Sequence, residues 1–167
     1  FFDDERRALQ DELESLLPGY QVRVSSMNRD EDKALLRANS DRTAGAYYFY
    51  DMAKKKLTKL EDVAPWLPED KMAPMKAVSY KSRDGLTIHG YLTIPLGSDG
   101  KNLPVVIHPH GGPWLRDVWG FDAEVQFLAS RGLAVLQMNF RGSTGYGRVF
   151  WEASFKQWGR AMQDDIT

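Results

Sequence analysis

Hydrophobic positions change period along the chain, and the changes divide it. Leu9, Leu13, Leu16 and Leu17 recur at i, i+4, i+7 and i+8, which predicts one amphipathic helix over residues 3–17. Asp3 or Asp4 can cap its start, and Pro18-Gly19 ends it. Apolar residues then alternate with polar ones: Val22 and Val24, a second strand over 34–37, the aromatic run 46–50 and a last strand over 57–60. Polar turns separate these four, at 28–32, 39–42 and 52–56. The aromatic run reads as core, because no basic groove accompanies it to make a base-stacking platform. Residues 61–74 hold Pro65, Pro68 and Pro74 and no periodic pattern, so they read as a connection, with Trp66 and Leu67 expected to dock on a neighbouring domain.

Beyond it the pattern is that of an α/β unit. Strands at 78–82 and 87–94 flank the tight turn Arg83-Asp84-Gly85 and predict a hairpin. Val105, Val106 and Ile107 read as a buried strand, β-branched throughout. Asp122 begins a helix whose Phe121, Val125, Leu128 and Ala129 share a face, with Gly132 at its end. Residues 133–138 form another buried strand, and 149–155 and 160–167 are expected to be helical. Strand, helix, strand at this spacing predicts a parallel crossover.

Composition narrows the classes. Lys+Arg 22 against Asp+Glu 23 leaves a net charge of -1, with no basic surface for nucleic acid or an anionic membrane. No cysteine is present, which removes disulfides, thiolate metal sites and a Cys nucleophile. No apolar run reaches membrane-spanning length. The first residues lack the basic start and long apolar core of a signal peptide. A cytoplasmic location is therefore expected. A periplasmic or secreted one stays open, since the first residue is not Met.

The chemistry concentrates where the strand 105–107 runs into His108-Pro109-His110-Gly111-Gly112-Pro113-Trp114. A strand ending in a bare glycine turn is where an open α/β sheet places its ligand. The two glycines leave backbone N–H groups uncovered. His108 and His110 stand two apart on an extended segment, but Pro109 and the lack of a third ligand argue against a metal. His89 reads as a core or edge histidine, and Asp164-Asp165 as capping or ion-pairing carboxylates. Arg141, in a glycine-rich loop, reads as either a partner of a carboxylate that holds the loop or a substrate contact.

His110-Gly111-Gly112-Pro113-Trp114, followed by Asn139-Phe140-Arg141-Gly142-Ser143-Thr144-Gly145-Tyr146-Gly147, resembles the serine peptidases of the prolyl oligopeptidase family, in its acylaminoacyl-peptidase and dipeptidyl-peptidase-like branch. The resemblance implies a partial α/β-hydrolase domain at 76–167 behind a linker at 65–75. Before these, the four short strands joined by tight turns match a propeller blade-like all-β segment at 21–64, and residues 1–20 form the helical segment read from its spacing. It implies hydrolysis of short peptides without a cofactor, with a peptide as partner. It makes His110 the oxyanion-hole candidate, a donor typically worth roughly 3–4 kcal/mol in the transition state. Gly111, Gly112, Trp114 and Arg141 become substrate-binding candidates.

The nucleophile motif G-x-S-x-G is absent from these residues, and Ser143 is its nearest lookalike. The chain is therefore expected to be inactive alone and to belong to a longer parent. An esterase or lipase on the same fold and a non-catalytic binding module are the alternatives. In the α/β-hydrolase order the strand 105–107 would lack one neighbour here, so self-association through that exposed edge is expected.

Overall fold

The computed structural model describes residues 3–167. These fall into two units, Phe1–Met72 and Ala73–Thr167.

The first unit opens with helix α1, Asp4–Leu16. Asp3 caps it, its carboxylate accepting from the N–H groups of Glu5 and Arg6 at 2.8 and 3.2 Å. Gly19 follows at φ +85°, a left-handed conformation that costs glycine nothing. Four strands come next: β1 Gln21–Met27, β2 Lys33–Asn39, β3 Ala46–Asp51 and β4 Lys56–Asp62. They form an antiparallel sheet in chain order. Leu13 of α1 packs with Val22, Ala34, Leu36, Ala38 and Tyr50, and Leu9 and Leu17 sit at the margin. Leu16, expected on the same apolar face, is exposed instead. The aromatic run is only half core. Tyr50 is buried and Tyr48 partly so, while Tyr47 and Phe49 point outward, as strand alternation requires. The Tyr50 hydroxyl donates to Glu12 Oε1 at 2.8 Å, and burial together with that carboxylate pushes the phenol up to about 12. A short 3₁₀ turn, Glu69–Lys71, lies in the proline-rich stretch. Trp66 does not dock as expected: it is 74% exposed.

The second unit holds β5 Met75–Lys81, β6 Thr87–Thr93, β7 Val105–Ile107, helix α2 Ala123–Ser130 and β8 Ala134–Asn139. Short helices α3 Arg148–Glu152 and α4 Ala161–Asp164 follow, both briefer than the expected spans and separated by turns. Asp122 caps α2, accepting from Val125 N–H at 2.9 Å. The sheet order is β5-β6-β8-β7, with β7 parallel to β8 and the other pairs antiparallel. Interior strand β8 is buried nearly throughout. Ile88, Met138 and Phe150 form a cluster on one face.

Strand β7 is not buried as its composition suggested. It ends the sheet, and Val105 and Ile107 are 55% and 42% exposed. A β-branched apolar run specifies a pleated strand and leaves open whether a neighbour lies on each side. Register in the sheet also depends on a glycine. Any Cβ at Gly90 of β6 would stand 2.4 Å from the Gln137 carbonyl oxygen and 3.1 Å from Met138 Cα, both backbone atoms of β8. Gly90→Ala should therefore lower the stability of the chain by about 3 kcal/mol, the scale of a strained core insertion. The check is the urea midpoint; an unchanged midpoint would mean that β6 and β8 can part without cost.

Candidate functional site

Two loops meet at the C-terminal ends of β7 and β8, because the two strands are parallel neighbours. The first carries His110 to Trp114 and the second Phe140 to Gly147. Their union is direct. The His110 ring stacks on Phe140, centroids 4.4 Å apart, and His110 Nε2 lies 2.8 Å from Ser143 Oγ. Thr144 N–H donates to the Leu115 carbonyl at 2.9 Å. Asn139, at the end of β8, accepts from Asp117 N–H at 2.8 Å and donates to the Asp117 carbonyl at 3.1 Å.

The second loop is held from below by Arg141. Its guanidinium donates twice to Asp165, from Nε at 2.8 Å and from Nη2 at 2.7 Å, and its backbone N–H adds a bond to the same carboxylate at 2.9 Å. Nη1 stands 2.8 Å from Asp84 in the β5–β6 hairpin turn. Ser82 Oγ donates to Asp165 Oδ1 at 2.7 Å. The paired carboxylates, Asp165 foremost, hold the guanidinium well above its usual range, and Arg141 holds Asp84 below the usual carboxylate range. Arg141 is 6% exposed, and each of its three guanidinium nitrogens faces a carboxylate, which is the geometry of the loop-holding reading. Gly142 beside it has φ +97°, and a Cβ there would sit 2.6 Å from Ser154 Cβ.

His110 borders an open depression of about 300 Å³ with Gly111, Gly112 and Pro113. Both its ring nitrogens are engaged: Nδ1 lies 2.7 Å from the Gly111 carbonyl oxygen, and Nε2 faces Ser143. The N–H groups of Gly111 and Gly112 have no protein acceptor among the described residues, and both glycines are exposed. Trp114 is half exposed within an aromatic group of Trp151, Phe155 and Trp158, and its Nε1 donates to Ser154 Oγ at 3.2 Å. Ser143 is fully buried. His89 is neither core nor edge: it is exposed on interior strand β6 and stacks on Tyr146 at 5.2 Å. His108 Nε2 lies 3.5 Å from Glu124.

Two participants escaped the sequence. Asp84 read only as a turn residue, although an aspartate in a hairpin turn is free to accept from outside it. Asp117 gave no signal at all. Burial raises its carboxyl above the usual range, against the opposing pull of His110 and His108 and a bond from Gln137. Its Oδ2, His108 Nδ1 and Gln137 Oε1 are buried without a hydrogen-bond partner among the described residues.

A profile of the Prolyl oligopeptidase family matches residues 119–167. Dipeptidyl aminopeptidase BIII of Pseudoxanthomonas mexicana is 38% identical over 96% of this chain and 24% of its own length. The chain is a relative of the prolyl oligopeptidase family of serine peptidases. Dipeptidyl peptidase family member 6 of Caenorhabditis elegans is 30% identical over 92% of this chain and 24% of its own. Among solved structures, the acylaminoacyl peptidase of Pyrococcus horikoshii superposes with a TM-score of 0.66 at 25% identity, covering 86% of this chain and 23% of that one. A puromycin-hydrolyzing peptidase of Mycobacterium tuberculosis gives a TM-score of 0.67 at 25% identity, covering 81% and 22%. The chain thus spans about a quarter of the length of these relatives of the family.

Two predictions follow from the charges. Asp165→Asn takes the fully buried carboxylate from Arg141 and leaves it only the exposed Asp84, and should destabilise the chain by about 3 kcal/mol, the scale of removing one partner from a buried pair; chemical denaturation measures it. Asp117 works in the opposite sense. Its folded value is raised, so its contribution is fully present below the unfolded value and lost as pH rises through the folded one. Asp117→Asn should therefore stabilise at neutral pH, with the gain vanishing as pH falls through the carboxylate range. Melts of both proteins against pH check this, and a gain that grew towards acid would contradict it.

Proposed function

We propose that these residues are part of a longer serine peptidase that acts on short peptides, releasing dipeptides or acyl-amino acids by acyl transfer to serine and then to water. In this reading the first unit is a propeller blade-like segment and the second opens an α/β-hydrolase domain. The glycine turn after β7 supplies the oxyanion side of the site. Acyl transfer needs donors aimed at the oxygen that gains charge. The observation that carries the reading is the pair of exposed, unused N–H groups at Gly111 and Gly112, at the C-terminal end of a parallel strand. The imidazole of His110, with both nitrogens already bonded, holds the turn rather than donating from it.

A second reading draws on Ser143 and His110, which stand at hydrogen-bond distance like a nucleophile and its base. Three facts weigh against it. Ser143 is fully buried, its hydroxyl also lies 2.7 Å from the Phe140 carbonyl oxygen, and His110 Nδ1 faces a carbonyl where a triad would have a carboxylate.

The 167-residue chain should therefore show no labelling by a fluorophosphonate probe and no ester turnover above background. Labelling at Ser143 would establish the second reading instead. The peptidase reading itself is tested on the polypeptide of the longer reading frame, with fluorogenic dipeptidyl and acyl-aminoacyl substrates. Cleavage of either supports it, and cleavage of simple esters alone would favour the esterase.

A further inference from the structure

We propose that Ser143 is the positioning residue of the glycine turn: through His110 it fixes the Gly111–Gly112 peptide so that the Gly112 N–H faces the open side of the site. This rests on the reading of that turn as the oxyanion side.

A carbonyl oxygen only accepts, so the 2.7 Å contact to Gly111 requires the proton on His110 Nδ1. In the neutral ring Nε2 is then an acceptor, and Ser143 is the donor that faces it at 2.8 Å. The Ser143 hydroxyl also stands 2.7 Å from the Phe140 carbonyl oxygen. Its one proton serves Nε2 while the ring is neutral. When the ring carries both protons, Nε2–H donates to Oγ and the hydroxyl turns to Phe140. The Ser143–His110 contact thus survives either protonation state, and so does the Nδ1–H bond to Gly111.

Peptide planarity carries this orientation one step further. In a trans peptide the carbonyl of Gly111 and the N–H of Gly112 point in opposite directions. Pinning the carbonyl under the imidazole therefore turns the Gly112 N–H away from it, where no protein acceptor among the described residues meets it. The glycines make the arrangement accessible: Gly112 adopts φ +134°, and a Cβ there would lie 2.7 Å from Trp114 N. Stacking on Phe140 holds the plane of the ring but does not choose which nitrogen carries the proton. Ser143 does so from a held position: it is fully buried, its N–H donates to the Phe140 carbonyl at 3.0 Å, and Arg141 two residues before it is clamped between Asp165 and Asp84.

The test is the tautomer of His110 in the ¹⁵N-labelled 167-residue chain, read from long-range ¹H–¹⁵N correlations of the imidazole nitrogens at about pH 8, above the usual imidazole range. The wild-type ring should be in the Nδ1–H form. In Ser143→Ala it should shift towards the Nε2–H form, with a change in the Gly112 amide resonance, while His89 and His108 keep their patterns. A wild-type ring in the Nε2–H form would overturn the proposal, as would an unchanged tautomer in a folded Ser143→Ala chain. If that variant does not fold, the wild-type measurement decides alone. No turnover enters the readout. A negative result removes the relay and leaves the peptidase reading standing, whereas an inactive longer polypeptide removes the peptidase reading and leaves the relay.

Discussion

The ion pair between Arg141 and Asp165 is buried, Asp165 fully and Arg141 nearly so, and most of the second loop's geometry depends on it. Taking both groups out of water costs several kcal/mol per ion, and the attraction between them offsets this only when the remaining donors and acceptors are met. Here they are. Asp165 accepts from the guanidinium twice, from Arg141 N–H and from Ser82 Oγ, and Asp84 takes the remaining side of the guanidinium. The clamp joins the end of the chain to the β5–β6 hairpin turn and to the loop after β8. A buried pair of this kind adds little net stability over a well-packed apolar group. What it supplies is one allowed position for the loop, since every shifted position leaves a charge unpaired.

From that fixed point the order propagates outward by short steps. Arg141 sets Gly142 and Ser143, Ser143 faces His110, and His110 holds the Gly111 carbonyl. Each link is a single hydrogen bond of ordinary net worth, about 1 kcal/mol. The exposed turn gains its orientation because the chain of bonds begins at a buried pair. A site that must present N–H groups to a ligand needs such support, because those groups have no partner of their own among the described residues.

Much of the fold could be read from periodicity. The amphipathic helix, four alternating strands, the hairpin and the strand-helix-strand pattern all depend on local sequence, which side-chain spacing records directly. What could not be read depends on neighbours. Val105-Val106-Ile107 has the composition of a buried strand, yet its burial is decided by what lies beside it. The aromatic run 46–50 is apolar throughout, but pleating turns Tyr47 and Phe49 outward whatever their hydrophobicity. At the site, the motif around His110 named the turn and the Arg141 loop. The partners that give them meaning, Asp84, Ser143 and Asp165, lie far apart in sequence or looked like ordinary turn and helix residues. Asp117, half-buried in the loop between β7 and α2, carries no local pattern from which its contacts could be inferred.

The claim that holds these observations together is that the loop after β8 belongs to the core of its unit rather than to its mobile surface. Amide hydrogen exchange tests it most directly, since Arg141, Gly142 and Ser143 each donate an N–H within the unit, to Asp165, Phe150 and Phe140. The account predicts that these three amides exchange as slowly as Met138 in β8, through the same global opening. Exchange as fast as in the exposed turn at 97–101 would contradict it.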